Sequence, residues 1–232
     1  MASEIKSLSR NLPSPWIEND EFDWNCITKD AILAFIRKNT IIYYQDDIVD
    51  YVYLVKRGRV CLSALSSCGK EKSFFIAEKG CLFGELSAID NNPNSCTAVA
   101  VTDSYIYQIP KDVFISELQS NNELCFKILK LLVKKSRLIM TQIKQLSFND
   151  SIYKVYYALI HLINQYSSPS SKNYKLTIKF THQEMANLTG LSRVRVSQIL
   201  SDLISDGIIE KKDGYLIVKD LEPIINYVLE KN

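Results

Sequence analysis

The sequence predicts an α+β chain in three parts: an N-terminal jelly-roll β-barrel, one long dimerisation helix, and a C-terminal winged helix-turn-helix. Three observations carry this. Glycines at 58, 69 and 80 punctuate short β-rich runs at intervals of eleven, the even turn spacing of a jelly-roll or barrel. An apolar heptad pattern then runs through residues 121–147, as in a coiled-coil seam. Finally, FTHQEMANLTGLSRVRVSQILSDLIS, from Phe180 to Ser205, sets a glycine between two short helical patterns, the layout of a helix-turn-helix.

Composition bounds the rest. The 232 residues are enough for two ordinary domains, and 47% hydrophobic with 23% charged is globular. A net charge of +2 is too small to argue for nucleic acid, so any attracting field is local. No apolar run approaches the ~20 residues that span a bilayer. The opening MASEIKSLSRNLPSPW lacks the apolar stretch of a secretory signal. Cysteines at 26, 61, 68, 81, 96 and 125 form no C-x-x-C pair. Cys61, Cys81 and Cys96 read as small buried residues in strand-like segments. A reduced, cytoplasmic protein with no membrane partner fits best. The expected divisions are residues 1–120, 121–148 and 149–232.

In the barrel, Tyr51 to Gly58 and Arg59 to Ala64 are rich in β-branched and aromatic residues, and residues 40–110 read as all-β. Pro110 opens a short helix. In the long helix, Cys125, Leu129, Leu132, Ser136, Ile139, Ile143 and Leu146 alternate at four and three. That seam is expected to join two copies; a long core helix would share the pattern. Lys127, Lys130, Lys134, Arg137 and Lys144 form a second stripe, read as a solvated face. Asn149-Asp150-Ser151 breaks the pattern, and Asp150 or Ser151 can cap the next helix, Ile152 to Tyr166. Ser167 to Asn173 reads as a polar loop.

In the helix-turn-helix, Ala186 is small where two helices cross, and Gly190 supplies the positive φ of the turn. Ser192 is placed to cap the second helix, and Val196 and Ile199 to pack back on the first. Arg193 and Arg195 then stand in the first turns, where a recognition helix meets base edges. No acid occurs from Met185 to Ser201. Two ordinary helices with a glycine turn would share part of this. The segment C-terminal to these helices favours the DNA reading: two β-rich runs flank Asp213-Gly214, a type I′ hairpin signal. The resulting wing carries Lys211 and Lys212, suited to phosphate.

This order resembles the family of the cyclic-AMP receptor protein and the fumarate-nitrate reduction regulator (CRP/FNR), over about residues 30–220. The resemblance rests on Gly58, Gly69 and Gly80, on the cassette Phe83-Gly84-Glu85-Leu86-Ser87, and on the helix-turn-helix with LSRVRVSQIL. It implies a cyclic-nucleotide-binding-like barrel and a cytoplasmic homodimer on a twofold-symmetric double-stranded DNA operator, with RNA polymerase as a partner. A small signal in the barrel would shift the long helix and re-aim the recognition helices, a two-state equilibrium biased by differential affinity. Thr181, His182 and Gln183 match the family's phosphate-contacting helix start. With Ser192, Arg193, Val194, Arg195, Ser197, Gln198, Lys211 and Lys212 they form the expected DNA-binding set. Phe83, Gly84, Glu85, Leu86, Asn94, Ser95, Ile139 and Met140 match the effector pocket.

The chain departs from the pattern at both ends. Cyclic-nucleotide binders open the cassette Gly-Glu, for the ribose hydroxyl, and close it Arg-Ser, for the cyclic phosphate. Here Gly84-Glu85 is present but Asn94 stands at the Arg position, and no Lys or Arg lies between Leu82 and Tyr107. A buried phosphate without a cation is costly. The adenine-contacting Thr-Ser pair aligns with Ile139-Met140, which offers no hydroxyl. The expectation is a small effector other than cyclic AMP and no cofactor. A hydrophobic or aromatic ligand, as in halogenated-phenol-responsive members, is one option. A cyclic nucleotide or a thiol-redox signal, with Cys125 facing its twin, is an alternative. Iron–sulfur sensing would use several N-terminal cysteines, and Cys26 is alone there. Haem sensing wants an axial His, and His161 and His182 both fall in the C-terminal part. Asp46 replaces a glycine in the first barrel turn, where Asp tolerates the left-handed region. On the recognition helix, Val194 replaces a cytosine-reading Glu and can pack on a thymine methyl. Gln198 can pair with adenine. A half-site unlike TGTGA and TTGAT is expected.

Two other classes are set aside. A nucleotide-sensing module of a kinase or channel would keep the cassette Arg and lack the winged helix. A metal enzyme on a cupin-like barrel would need histidine ligands, and none precedes residue 161. No catalytic or metal-binding residue is expected.

Overall fold

The structure is a computed structural model that describes residues 13–17, 23–169 and 173–231. The expected lack of a secretory signal rests mainly on residues 1–12, which lie outside the described residues. Two compact units are present: Pro15–Ser136, and Arg137–Asn232 with Pro13 and Ser14. The division falls inside the longest helix.

The first unit contains β1 (Trp16–Ile17), α1 (Asn25–Thr28), β2 (Ile32–Ile36), β3 (Ile41–Tyr43), β4 (Tyr51–Arg57), β5 (Val60–Leu65), β6 (Glu71–Ala77), β7 (Leu82–Phe83), α2 (Glu85–Asp90), β8 (Thr97–Ala100), β9 (Ser104–Pro110) and α3 (Lys111–Ser120). It also holds the start of α4 (Asn122–Phe148). One sheet runs β1-β6-β5-β8-β3 and the other β2-β9-β4-β7. Val52 to Val55 of β4, Val60 to Leu62 of β5, Ala98, Ala100, Ile106 and Ile109 are buried, and supply the core of the β-sandwich. Gly58 has φ 105°, and a Cβ there would overlap the Ser104 side chain. Asp46 adopts φ 68°, the left-handed conformation expected of it.

The first unit differs from the sequence expectation at several points. Strands begin before residue 40, at β1 and β2. β1 has only two residues, paired parallel to β6, too short to show a period. β2, ILAFI, is a continuous apolar run, which periodicity cannot tell from a helical segment. It pairs only with β9 among the described strands, and Ile32, Leu33 and Phe35 stay exposed. A short helix, α2, interrupts the supposed all-β region. Pro110 ends β9 and caps α3 rather than opening it. Cys61 and Cys81 are buried, but Cys96 is only partly so and lies outside the strands.

The second unit contains the end of α4, then α5 (Ser151–Tyr166), β10 (Ser167–Pro169), β11 (Tyr174–Leu176), α6 (His182–Thr189), α7 (Arg193–Ser205), β12 (Ile209–Lys212), β13 (Tyr215–Val218) and α8 (Glu222–Glu230). The expected polar loop is in part a hairpin: β10 and β11 pair from Ser167↔Leu176 to Pro169↔Tyr174, with residues 170–172 outside the described set. They extend the wing to four strands, β10-β11-β13-β12. Asp150 caps α5, accepting from the Tyr153 N–H at 2.9 Å. It also accepts from the Tyr227 hydroxyl at 2.8 Å and the Lys231 ammonium at 2.9 Å, on and just after α8. Burial raises its pKa, but these donors outweigh that and hold it at about 2. His161 is buried in α5 against Tyr157, ring centroids 4.6 Å apart, and its Nε2 has no hydrogen-bond partner. Desolvation lowers its pKa to about 4.

Candidate nucleic-acid interface and barrel cassette

Helix α6 starts on a capping box. The Thr181 hydroxyl accepts from the Glu184 N–H at 3.1 Å, and the Glu184 carboxylate accepts from the Thr181 N–H at 2.6 Å. Gly190 then turns the chain at φ 73°, its N–H donating to Ala186 at 2.8 Å. Ser192 caps α7 by accepting from the Arg195 N–H at 3.1 Å. Val196, Ile199, Leu200 and Leu203 are buried, which turns Arg193, Val194, Arg195 and Gln198 outward. Val194 is 79% exposed.

The exposed residues are not equally free. Arg195 Nε donates to the Ser151 hydroxyl at 2.9 Å, which braces the guanidinium toward the start of α5. Gln198 donates to Asp202 at 3.1 Å, and Gln183 to Asn187 at 2.7 Å. Ser197 is half-buried. A cleft of about 540 Å³ is lined by Lys179, Phe180, Thr181, His182, Gln183, Arg193, Lys211 and Gly214. The fold thus gathers helix start, recognition helix and wing around one opening. Partial burial, then the charges of Lys211 and Arg193, lower the His182 pKa. Asp213 and Gly214 carry the wing turn with φ 54° and 83°. Lys212 is exposed but does not line the cleft. Lys179 does, and sequence reasoning missed it; its ammonium lies 5.3 Å from the Tyr215 ring centroid. Its one sequence signal was a cation two residues before the Thr181 cap. Three cations and a capped helix start suit an anionic oxygen.

In the barrel, Gly84 caps α2 with φ 79°, and a Cβ there would stand 3.2 Å from the Tyr53 ring. Phe83 stacks on Tyr53 at 5.2 Å between centroids, and Tyr43 closes the cluster. Glu85 is 1% exposed and paired with Lys135 of α4, Nζ to Oε1 2.7 Å. The same ammonium donates to the Leu82 carbonyl at 2.8 Å and lies 5.0 Å from the Phe75 ring centroid. Lys135 was not among the expected site residues. Asn94 is buried, donating from its side chain to the Asp47 carbonyl at 3.2 Å, while its backbone carbonyl accepts the Asp46 N–H at 2.8 Å. Burial pushes the Tyr43 phenol well up and raises the Cys96 thiol, and the two hydrogen-bond each other. Complete burial raises Cys81 to about 11. Of the expected pocket residues in this unit, two do not join the group: Leu86 and Ser95 are exposed, because α2 turns its second residue outward and Ser95 follows the buried Asn94. Ile139 and Met140 belong to the other unit, the first half-buried and the second exposed.

Helix α4 carries two apolar rows. Leu124, Ile128, Leu131, Lys135, Leu138 and Gln142 are buried within the chain. In the expected seam, Leu129, Ser136, Ile143 and Leu146 are exposed and Cys125, Leu132 and Ile139 half-buried. Phe126, Val133 and Met140 widen that open face. No described helix is long and apolar enough to cross a membrane.

Comparisons with known proteins agree with this arrangement. Residues 33–121 match the family described as cyclic nucleotide-binding domain, and residues 154–225 the Crp-like helix-turn-helix domain. The chain is 29% identical to the cyclic AMP receptor protein of Thermus thermophilus over 179 residues, 77% of this chain and 80% of that one. It is 27% identical to the anaerobic regulatory protein of Bacillus subtilis over 184 residues, 79% and 77% of the two chains. In fold it is similar to a CooA mutant from Carboxydothermus hydrogenoformans, with TM-score 0.74, 23% identity and coverage of 90% and 92%. A CRP/FNR regulator structure from Thermus thermophilus gives TM-score 0.72 at 20% identity, covering 87% of this chain and all of that one.

Proposed function

Given that the chain belongs to the CRP/FNR family of DNA-binding transcriptional regulators and is not an enzyme, we propose that it acts as a homodimer on a twofold-symmetric operator, under control of a barrel occupant other than cyclic AMP. The observation that carries the DNA reading is α7, capped by Ser192 and presenting Arg193, Val194 and Gln198 outward beside the cationic cleft. In this reading Arg193 contacts guanine, Gln198 adenine and Val194 a thymine methyl. Thr181, His182, Gln183, Lys179, Lys211 and Lys212 serve phosphates. Arg195, braced on Ser151, serves the backbone rather than a base. The open face of α4 is the surface for a second copy, and RNA polymerase is the partner of the bound dimer.

Two features support a non-nucleotide barrel. Asn94 is neutral where a cyclic phosphate needs a cation, and its polar atoms already hold the Asp46–Asp47 turn. Lys135 is a cation, but giving it to a phosphate would strand the buried Glu85 carboxylate, at about 3–5 kcal/mol. The relatives named for cyclic AMP share the scaffold at under a third identity. Selection from random duplexes should return a half-site other than TGTGA or TTGAT. Titration calorimetry with cyclic AMP and cyclic GMP should show no tight binding. Recovery of either half-site, or sub-micromolar nucleotide binding, would refute the corresponding part.

A further inference from the structure

The buried Glu85–Lys135 pair does more than exclude a nucleotide. In α4 the inward row Leu124, Ile128, Leu131, Lys135, Leu138 and Gln142 follows heptad spacing, and Lys135 takes a core position in it. A lone lysine at a core heptad position fixes register at a cost in stability. Here the ammonium is tied at two points, 2.7 Å from Glu85 Oε1 and 2.8 Å from the Leu82 carbonyl. Those acceptors sit on β7, one residue before the cassette, and in the first turn of α2, within it. Phe75 of β6 closes over the charge.

We propose that Lys135 is a built-in occupant of the cassette: its ammonium engages Glu85 and the Leu82 carbonyl, sets the register of α4 on the barrel, and so holds the DNA-binding state without a small molecule. This rests on the reading of the chain as a DNA-binding regulator; control by a small molecule would then act by displacing Lys135 from Glu85. Glu85 and Lys135 are positioning residues; neither touches DNA. Helix α4 itself runs unbroken from Asn122 to Phe148.

The test uses the full chain, purified and shown free of small molecules by mass spectrometry of a denatured extract. Its affinity for the selected duplex and for a random duplex is measured by fluorescence anisotropy. The unliganded protein should discriminate the two by about a thousandfold or more, the range of specific DNA binders, and cyclic AMP or cyclic GMP should leave both affinities unchanged. Lys135→Met and Glu85→Gln should each reduce affinity for the selected duplex at least about tenfold, a modest population shift, with random-duplex affinity intact. Lys135→Arg should retain discrimination. Removing one partner strands the other in the interior, so the double variant Glu85→Leu/Lys135→Met serves as the folded control. It should melt like the wild type yet still bind the selected duplex weakly. A folded double variant that binds like the wild type would overturn the proposal. So would an unliganded wild type that discriminates only after a cell extract of small molecules is added. Failure of the wild type to prefer any duplex under either condition would instead overturn the DNA-binding reading, and this proposal with it.

Discussion

Arg193 and Lys211 line one cleft but should answer different tests. Replacing Arg193 with Ala should cost about 1–3 kcal/mol and relax preference at one base pair, if its fork reads guanine. Replacing Lys211 or Lys179 with Ala should weaken all duplexes alike and reduce the salt slope by about one. Competition binding at several salt concentrations separates the two. His161 predicts a pH effect on stability rather than on recognition. Desolvation holds its folded pKa at about 4 against the ordinary value of 6.5, so between these values the unfolded chain binds more protons. The contribution of the neutral imidazole is complete above about 6.5 and is lost as pH falls toward 4. It amounts to about 2 kcal/mol between pH 6.5 and 5. Urea unfolding at both values should show this slope in the wild type and its absence in His161→Leu. An unchanged slope would contradict it. Asp150, held at about 2 against an ordinary 3.8, keeps its full stabilisation throughout this window and loses it only as pH falls below about 3.8 toward 2. At this scale the sequence was readable where chemistry is local. Thr181, Gly190, Ser192 and Asp213-Gly214 each declare a cap or turn by their own side chain. Glu85 and Lys135 lie fifty residues apart, and nothing short of the folded barrel brings them together.

At the scale of elements, the capping box of α6 makes a direct prediction. Thr181→Ala removes one oxygen acceptor and loosens the reciprocal Glu184 bond, which should cost about 1 kcal/mol. A fall in melting temperature with weaker DNA binding is the expected result; an unaltered melt would count against the cap. The two rows of α4 show why its pattern was only half legible. The row read as the seam is purely apolar apart from Ser136 and Cys125, so it looked like the helix's single hydrophobic face. The inward row contains Lys135 and Gln142, and those polar letters concealed a second seam of the same period. Leu129→Glu and Ile143→Glu alter only exposed positions. Each should leave the helix content intact and shift sedimentation from dimer to monomer. Dimers that persist in both variants would remove α4 from the subunit interface. Strands were harder to read than helices: β2 is uniformly apolar, β1 is two residues long, and β10 pairs only across a hairpin.

For the molecule as a whole, three-part order was legible because each part has its own period: turns at eleven residues, heptads, then two short helices and a hairpin. The partition of labour between them was not. The cassette carboxylate Glu85 is met by Lys135, a side chain delivered from the long helix. A net charge of +2 likewise concealed a concentrated cationic cleft. Strand β2 adds a consequence of another kind. Among the described strands it is a sheet edge, with exposed Ile32, Leu33 and Phe35, the composition that seeds edge-to-edge association between copies. Exposed charges bracket it, Lys29 and Asp30 before and Arg37 and Lys38 after, the placement of gatekeepers against aggregation. Arg37→Ala/Lys38→Ala should leave duplex affinity unchanged and shorten the lag before light scattering rises in concentrated solution. The solubility of this regulator, and hence the amount a cell can hold in reserve, would then depend on four charged residues that belong neither to the DNA-reading set nor to the cassette.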